Sequence, residues 1–533
     1  MGILKSKARG IEYEYGINTY PPAQDSFSRT FIVDAAMDGM VKQGYVLKID
    51  WSVNDEVGNL AYERGLLNLW LLEEGPYEFA LNGSRIYDDA EHYEVSTPVY
   101  RTPLDAVIYD KVGEVYAYFG MQAARQRHGK VLTYKNNIST IRSARGDVFE
   151  SVAWGTHYNI SLDRAVCNVD IWSNVEKALI PYMITRILVM GGGEYVACKR
   201  GTFYFEPPHS SRLVGESASF VISPRAAFIK QFSTFDTTLE RGILNLRDEP
   251  HSNPAKYWRL HDINHEAARN EFHVYVRDCM QVLFLTAFER GYFANAPEIA
   301  NPISTFKKLS SDVEELKWKV ELKDGRVVDA IDDILSGYYL AKVEDMLSKS
   351  SDVDDEDRRA FSLIKAVLNK LSTRSIEYLV DGLDWVTKKV MIEEYGGDIS
   401  ESIALCNEFS LIDEAVLYYL GESVDFDAVD SRFDPRDSLD FVRTAIPYVN
   451  WDKLTAWVKE GLTKSPSDTR EYLRTNIVKK FTNKVTAVSW AKVYLEGKPL
   501  EMMEPLAYTE EEVKDLLERA EKPSDILEKL ARR

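Results

Sequence analysis

The sequence predicts an α+β fold: a mostly antiparallel β-sheet with flanking helices, followed by a small helical C-terminal domain. Short segments of alternating apolar and polar residues, bounded by Gly, Pro or Ser, recur through the N-terminal half. Helical patterns dominate from Asn301 onwards. The 533 residues are too many for one small core. We therefore expect a large domain over residues 1–455 and a small domain over residues 456–533.

The first strand pattern is "GIEYEYGI", residues 10–17. Because side chains alternate along a strand, Glu12 and Glu14 share one face, and the neighbouring apolar and aromatic side chains share the other. Two interpretations remain open at this point. The carboxylates could face water on a half-buried strand, or they could hold a hard cation such as Mg²⁺, which prefers carboxylate oxygens.

The segment "NGSRIYDDAEHYEVST", residues 82–97, alternates again. Its pattern places Arg85, Tyr87 and Asp89 on one face, with Glu94 and Thr97 following. An arginine and two carboxylates on one face could hold a nucleotide phosphate, act on a substrate and bind a metal. An exposed charged strand is the alternative. Further strand patterns occupy residues 194–207 and 219–232.

Helix signals come next. Thr102 is a predicted N-cap before Pro103, and a helical stripe follows, formed by Ile108, Val112, Val115 and Phe119. A second, strongly apolar helix should stop near Gly291. The acidic run at 350–359 is typical of a solvated loop between helices, and Thr509 with Glu512 has the spacing of a capping box.

Two further regions contain candidate functional side chains. His157 follows a Gly-Thr turn in "GTHYN", although a lone histidine is commonly structural. Residues 223–262 contain a denser group: Arg225, Arg247, Asp248, Glu249, His251 and His261. The guanidinium fork can bind two phosphate oxygens at once, so this group suits triphosphate recognition, but a salt-bridged surface would have the same composition.

Composition narrows the classes of protein. A net charge of −19 argues against general nucleic-acid binding, which requires a basic face. The four cysteines lie far apart, which excludes a recognisable zinc motif and suggests a reducing compartment. Neither a signal-peptide core nor an uninterrupted apolar span of membrane length is found, so we expect a cytoplasmic protein without membrane contact. The sequence also lacks the nucleophile-elbow, Rossmann and HExxH motifs.

Taken together, these segments resemble the family of Pup ligases and depupylases, relatives of glutamine synthetase and other carboxylate–amine ligases. The resemblance runs from about residue 10 to about residue 500. Its most specific part is "RGILNLRDEPH" at 241–251 with "RLH" at 259–261. It implies a glutamine-synthetase-like curved sheet in the catalytic domain, with ATP and Mg²⁺ as cofactors.

The resemblance also implies roles for individual residues. Asp89 matches the catalytic aspartate, and Glu12, Glu14, Tyr87 and Glu94 match or accompany the magnesium positions. Arg85, Thr97 and Trp490 match ATP contacts, and Arg225, Arg247, His157 and His261 match the remaining active-site residues. Two positions depart from the family pattern: Tyr93 replaces a proline, and Tyr158 replaces a glutamate, which would remove a carboxylate from near the site.

The activity implied is that of a depupylase, which hydrolyses the isopeptide bond between the C-terminal glutamate of Pup and a substrate lysine and deamidates a C-terminal glutamine of Pup. The long segment Asn18–Gly83 and the short Asp89–Glu94 spacing favour it. Partners would be Pup, a small disordered protein tag, and pupylated proteins, with a link to the proteasome. Alternatives are a Pup–protein ligase, a relative acting on another tag or a small γ-glutamyl compound, and a binding protein without turnover. Segment 18–83 could be a lid or part of the core.

Overall fold

The computed structural model describes residues 2–20, 26–52, 78–89, 92–143, 146, 148–206, 211–445 and 449–530. Within these ranges the predicted α+β class is confirmed. None of the described helices combines the length and apolarity that a bilayer span needs.

The strands and helices of the described residues are as follows. The strands are β1 (Arg9–Tyr20), β2 (Val46–Lys48), β3 (Glu78–Ala80), β4 (Arg85–Asp89), β5 (His92–Ser96), β6 (Lys130–Tyr134), β7 (Ile138–Arg142), β8 (Phe149–Ala153), β9 (Thr156–Asp163), β10 (Glu194–Cys198), β11 (Arg212–Gly215), β12 (Ser217–Val221), β13 (Gln231–Thr234), β14 (Gly242–Asn245), β15 (Tyr257–His265), β16 (Lys319–Glu321), β17 (Val327–Asp329), β18 (Leu411–Ile412), β19 (Val485–Val488), β20 (Lys492–Leu495) and β21 (Lys498–Glu501). The helices are Ser26–Lys42, Pro103–His128, Trp172–Thr185, Ile187–Met190, Glu271–Glu289, Pro302–Ser311, Ala341–Lys349, Asp355–Ser372, Asp384–Tyr395, Ile399–Ser410, Pro435–Ala445, Leu454–Gly461, Glu471–Lys480, Glu510–Arg519 and Pro523–Leu530, with a π-helix at Ala330–Leu340.

The central sheet has the order β15–β9–β1–β5–β4–β3–β2, and all of these neighbours are antiparallel. The second half of β1 pairs instead with β6, which also pairs with β18. One face of β1 contributes Ile11, Tyr13 and Tyr15 to the main core. The other face is polar, so the burial pattern of β1 divides the sheet into a core side and a candidate site side.

The two predicted helices are confirmed. The first runs over Pro103–His128, and Thr102 Oγ1 accepts a hydrogen bond from the Asp105 amide at 3.0 Å, as an N-cap does. The second runs over Glu271–Glu289 and is buried along almost its whole length. Together with helix Ser26–Lys42, these helices contribute side chains to the main core.

The acidic run at 350–359 is only partly a loop, so that prediction was wrong from residue 355. Asp354 caps helix Asp355–Ser372, with Asp357 completing the capping box. The carboxylate of Asp357 also accepts the backbone N–H groups of Ile3 and Leu4, each at 2.8 Å. Carboxylates stabilise a helix N-terminus because its first N–H groups lack partners, and here they anchor the start of the chain as well.

A second core lies in the C-terminal part of the chain. It joins Leu473, Val488 and Trp490 to Trp51 and Phe79, which come from far earlier in the sequence. The C-terminal part also contains the three-stranded sheet β19–β20–β21 beside its helices, an addition to the helical domain expected there. Helix Leu454–Gly461 packs in the main core, on the other side of the expected boundary. The boundary at residue 455 stays a prediction.

Segment 18–83 is only partly described. Helix Ser26–Lys42 packs in the main core, whereas Trp51 and Phe79 belong to the second core. Most of "LLNLWLLEEGPYEFAL", at 66–81, lies outside the described residues, so the choice between a lid and a core element stays open for that stretch.

The turn before β4 is attached to the C-terminal part. Asn82 Nδ2 donates to Gly461 O at 2.8 Å, and Gly83 O accepts from the buried Arg474 guanidinium. Arg474 also donates to Glu471 Oε2 at 2.8 Å and Ser489 O at 3.0 Å. Strand β4 therefore starts from a turn that is fixed from outside the central sheet.

Gly83→Ala should destabilise the protein more than Gly325→Ala does. Both glycines have positive φ, 95° and 86°, so both substitutions incur a backbone cost of about 1–2 kcal/mol. Only at Gly83 would the added Cβ clash, at 2.5 Å from Glu471 Oε2, whereas Gly325 faces open space. We expect roughly 1–3 kcal/mol of additional loss at Gly83, measured from urea unfolding transitions. Equal losses at the two positions would contradict this account.

Candidate active site

Strand register brings the predicted residues to one face of the sheet. Glu12 pairs with Ser96 on β5 and with His157 on β9. Glu14 pairs with Glu94, which in turn pairs with Tyr87 on β4. Directly opposed residues of antiparallel strands project to the same face, so residues distant in sequence become neighbours here.

Three carboxylates form the first cluster. An oxygen of each of Glu14, Asp89 and Glu94 lies within 4.8 Å of the others. Glu94 is buried, its Oε1 accepts the Tyr87 hydroxyl, and its Oε2 has no hydrogen-bond partner. Burial and the neighbouring carboxylates raise the pKa of Glu94 well above its ordinary value and also raise that of Asp89.

Glu12 belongs to a second cluster with His157 and His261, whose ligand atoms also lie within 4.8 Å of one another. Glu12 Oε1 accepts from Asn159 Nδ2 at 3.0 Å, and Oε2 accepts from His157 Nδ1 at 3.2 Å. Burial alone would raise the pKa of Glu12, but the bond from His157 and the charge of Arg259 lower it overall. Burial and Arg259 hold the pKa of His261 well below its ordinary value, so His261 is neutral.

The two predicted arginines occupy different positions. Arg247 donates to Glu249 Oε1 at 2.9 Å, and Arg259 donates to the other oxygen of Glu249 at 2.8 Å. Arg225 instead donates both η nitrogens to backbone carbonyls, those of Trp154 and Ile263.

The position of Arg225 shows how its guanidinium is held, and its role beside phosphates stays a prediction. Arg225 lies in the 3₁₀ helix Pro224–Phe228 behind the Trp154–Gly155 loop, whose Gly155 amide donates to Glu14 Oε2 at 2.7 Å. Its guanidinium therefore supports the loop that holds Glu14. Sequence spacing could not reveal this, since both acceptors are backbone carbonyls from distant segments.

A solvent-open cavity with an empty volume of about 510 Å³ adjoins the Glu12 cluster. Its lining combines polar and charged groups with an apolar wall. The polar lining includes Glu12, Asn159, Arg259 and Arg470, and the apolar wall includes Val99, Ile160, Pro250, Trp490 and Pro505. An apolar wall with a few placed polar groups is the type of lining that suits a cofactor.

The three predicted nucleotide contacts lie at or near this cavity. Trp490 and Thr97 line it, although Thr97 Oγ1 also accepts the Ile11 amide at 3.0 Å. Arg85 is buried with its guanidinium over the rings of Trp51 and Tyr87, at 4.7 and 4.1 Å from their centroids. Arg85 thus connects the cavity wall to the carboxylate cluster through stacked side chains.

The two residues that depart from the family pattern, Tyr93 and Tyr158, lie on the core side of the sheet. Tyr158 neighbours His157 in β9 and therefore faces the other way, where its hydroxyl donates to Asp278 at 2.9 Å. The Tyr93 ring lies 6.3 Å from that of Tyr15, likewise in the core. The expectation that Tyr158 removes a carboxylate from near the site was wrong, because side chains alternate along the strand.

Sequence reasoning missed Asn159 and Arg259, which contact Glu12 directly or closely: Arg259 Nη1 lies 3.6 Å from its Oε1. A signal existed. Asn159 is two residues after His157, and Arg259 is two residues before His261, so each shares the face of a predicted residue. Arg470, which lines the cavity and donates to His251 O at 2.6 Å, had no such signal.

The carboxylate cluster fits a divalent cation. Glu94 Oε2 is a buried acceptor without a partner, and carboxylate oxygens are the ligands that Mg²⁺ prefers. Burial and Glu94 raise the pKa of Tyr87 well above its ordinary value, so its hydroxyl stays protonated and donates to Glu94. This geometry makes Tyr87 a residue that orients Glu94, whereas the resemblance placed it among the cation positions.

The cluster makes stability depend on pH. In the window above pH 4.5, an unfolded Glu94 has lost its proton while the folded protein still holds it. The folded state then binds more protons than the unfolded state, so the unfolding free energy should fall as pH rises, by up to about 1.4 kcal/mol per unit. Glu94→Gln removes this ionisation. The unfolding free energy of the variant, relative to that of the wild type, should therefore rise as the pH increases through this window.

Adding Mg²⁺ supplies the matching control. A cation bound only by the folded state should stabilise the wild type at neutral pH, by about 2.7 kcal/mol at a hundred times its Kd. Glu94→Gln should lose most of that response. Parallel pH profiles for the two proteins, or an undiminished Mg²⁺ response in the variant, would contradict the role given to Glu94.

Comparison with known proteins identifies the family of this chain. A family model described as "Pup-ligase protein" matches residues 7–409. The depupylase of Acidothermus cellulolyticus is 29% identical over 461 residues, covering 84% of this chain and 82% of that protein. The Pup deamidase/depupylase of Mycolicibacterium smegmatis is 28% identical over 465 residues, with the same coverage of both chains.

A Pup–protein ligase of a Nocardioides species is 28% identical over 324 residues, covering 60% of this chain and 64% of that protein. Among solved structures, the ligase PafA in its complex with the prokaryotic ubiquitin-like protein Pup matches with a TM-score of 0.68 at 20% identity. That match covers 99% of this chain and 95% of the other, and it shows a shared fold. Because the family model spans residues 7–409 of 533, this chain belongs to the Pup-ligase protein family.

Proposed function

We propose that this protein is a depupylase and Pup deamidase. It would hydrolyse the isopeptide bond between the C-terminal glutamate of Pup and a substrate lysine, and deamidate a C-terminal glutamine of Pup. The observation that carries the proposal is sequence coverage: the depupylase relatives align with 84% of this chain, and the ligase relatives align with 60% to 72% of it. The long segment between β1 and β4 supports the same choice.

Asp89 is the group proposed to act on the isopeptide carbonyl. In one route its carboxylate attacks the carbonyl carbon, the C–N bond to the lysine breaks, and water then hydrolyses the resulting anhydride. In the other route Asp89 takes a proton from the attacking water. Both routes need Asp89 ionised, although burial and Glu14 raise its pKa, so a bound cation would favour the reactive form.

The leaving lysine amine needs a proton, and the two histidines differ in how well they could supply it. His261 is neutral because burial and Arg259 hold its pKa well below its ordinary value. His157 Nδ1 donates to Glu12 at 3.2 Å, and its Nε2 lies 3.9 Å from Glu14. The contacts with Glu12 and Glu14 hold the His157 ring beside the carboxylate cluster, so we assign His157 as the proton donor.

ATP and Mg²⁺ are the proposed cofactors. Glu14 and Glu94 would hold the cation, Trp490 and its apolar neighbours would hold the base, and Arg247 and Arg259 would face the phosphates. When bound, these cofactors would concentrate positive charge and phosphate oxygens beside the reacting carbonyl. The solved ligase PafA in complex with ADP has a related fold, with a TM-score of 0.62 at 21% identity.

The proposed partners are Pup and pupylated proteins, which connects the protein to proteasomal degradation in hosts that use this tag. The names of the relatives support this: each refers either to Pup or to the removal of Pup.

The test is one incubation of the purified protein with a lysine-linked Pup conjugate, ATP and Mg²⁺, followed by intact-mass spectrometry. We expect release of the unmodified target and of Pup ending in glutamate. In a second incubation with Pup ending in glutamine, water should replace the amide nitrogen, which leaves as ammonia, and the mass of Pup should rise to that of the form ending in glutamate. A conjugate that stays intact would contradict the proposal.

Ligation is the second candidate, because Pup–protein ligases match at 28% identity and share the fold. It predicts the reverse outcome: Pup and a lysine-containing target become joined, and one ADP forms for each bond. Measuring ADP beside the conjugate distinguishes the two activities, since hydrolysis of an isopeptide bond requires no stoichiometric ATP cleavage.

A further inference from the structure

Asn159 connects three groups of the candidate active site. Its Nδ2 donates to Glu12 Oε1 at 3.0 Å. Its Oδ1 accepts from Arg259 Nη1 at 2.7 Å and lies 2.8 Å from His261 Nδ1. The side chain also lines the cavity beside Trp490. One amide therefore contacts both Glu12 of β1 and His261 of β15.

Chemistry fixes the direction of these bonds. A guanidinium only donates, so the amide atom facing Arg259 is the oxygen, and the NH₂ group then faces the Glu12 carboxylate, which accepts. The same oxygen can only accept from His261, so Nδ1 of that ring bears the hydrogen. The lone pair of the neutral ring is consequently on Nε2.

The competing tautomer is disfavoured by distance. Arg259 Nη1 lies 3.2 Å from His261 Nδ1, which would be a bond if Nδ1 had a lone pair. In that tautomer the lone pair of Nδ1 would face the lone pairs of Asn159 Oδ1. The two atoms are 2.8 Å apart, which is closer than the contact with Arg259 and would be repulsive. The shorter contact decides for the hydrogen on Nδ1.

We propose that Asn159 is a positioning residue that orients Glu12 through its NH₂ group and sets the tautomer of His261 through its oxygen. It contacts neither the scissile bond nor a proton in transit, and it acts through those two residues. The effect on turnover rests on the proposed function, whereas the effect on the His261 tautomer does not. A misplacement of about 1 Å in a reacting group costs on the order of a hundredfold in rate, so such a support should matter.

Two substitutions separate the two roles. Asn159→Asp keeps an oxygen toward Arg259 and His261 but places a second carboxylate oxygen against Glu12. Asn159→Leu removes both interactions at similar volume. Asn369→Asp, on the exposed face of helix Asp355–Ser372, controls for the added charge. The chain has eight histidines, so ¹⁵N-histidine NMR can follow individual tautomers, with His261→Gln as the assignment standard.

In the wild type and in Asn159→Asp, we expect the tautomer of His261 that has its hydrogen on Nδ1. In Asn159→Leu, we expect this tautomer to be no longer the dominant one. Both Asn159 variants should lower kcat about a hundredfold with KM for the conjugate changed less than about threefold. A wild-type His261 with its lone pair on Nδ1, or an unchanged tautomer and kcat in Asn159→Leu, would overturn the inference. If the wild type turns over no conjugate, the proposed function fails. The tautomer measurement still tests whether Asn159 positions His261.

Discussion

Asp89→Asn should reduce isopeptide cleavage by a factor of about 10³ or more while the protein stays folded. The amide has the shape of the carboxylate, but it is neither a nucleophile nor a base of useful strength. Removing one of three clustered carboxylates also relieves repulsion, since burial and Glu14 raise the pKa of Asp89 in the wild type. We therefore expect unchanged or higher thermal stability beside the lost turnover.

Asp88→Asn is the matched control for this experiment. It makes the same chemical change one residue away in β4, on the opposite face of the strand. Its turnover should stay within a few fold of wild type. Peptide mapping at position 89 excludes deamidation back to aspartate as a source of residual activity. Turnover of Asp89→Asn within tenfold of wild type would contradict the role assigned to Asp89.

Tyr158→Glu should destabilise the protein strongly and should not create a further cation ligand. Tyr158 is buried on the core side, and its hydroxyl donates to Asp278, which also accepts from Tyr100 at 3.1 Å and pairs with Arg9 at 3.4 Å. Burial already raises the pKa of Asp278, and a second carboxylate would share one guanidinium with it. We expect a loss on the order of 3–5 kcal/mol in the unfolding free energy, measured by urea denaturation.

Tyr158→Phe separates packing from charge at this position. It keeps the ring and removes one hydrogen bond to a carboxylate, so its cost should be about 1.5–3 kcal/mol. Its Mg²⁺ response and turnover should match the wild type, because the side chain faces away from the site. A stable Tyr158→Glu variant that binds an additional Mn²⁺ ion in a titration would show that β9 presents residue 158 to the site face after all.

Local periodicity was enough to place the residues of β1 and β4. The alternation of Glu12 and Glu14, and of Arg85, Tyr87 and Asp89, needs only the geometry of a single strand, and the structure presents both sets to one face. The same rule applies to Tyr158 and Asn159, but "GTHYN" begins at a Gly-Thr turn, which hides the start of the strand. The missing information was the extent of β9.

Other features depend on contacts that no local pattern encodes. Arg225 donates to two backbone carbonyls, and Trp51 and Phe79 join a core whose other buried members lie at residue 473 and beyond. The acidic run at 350–359 misled because aspartates suit both solvated loops and helix N-termini. Burial and backbone partners decided each of these cases, and both are properties of the folded chain.

The shared second core has a consequence for synthesis of the protein. During translation Glu12 and Glu14 emerge more than 450 residues before Arg470 and Trp490. Until then Trp51 and Phe79 lack the side chains that bury them in the finished protein. A nascent chain thus exposes apolar side chains that the finished protein covers. The cavity wall that includes Trp490 is therefore complete only after synthesis has passed residue 490.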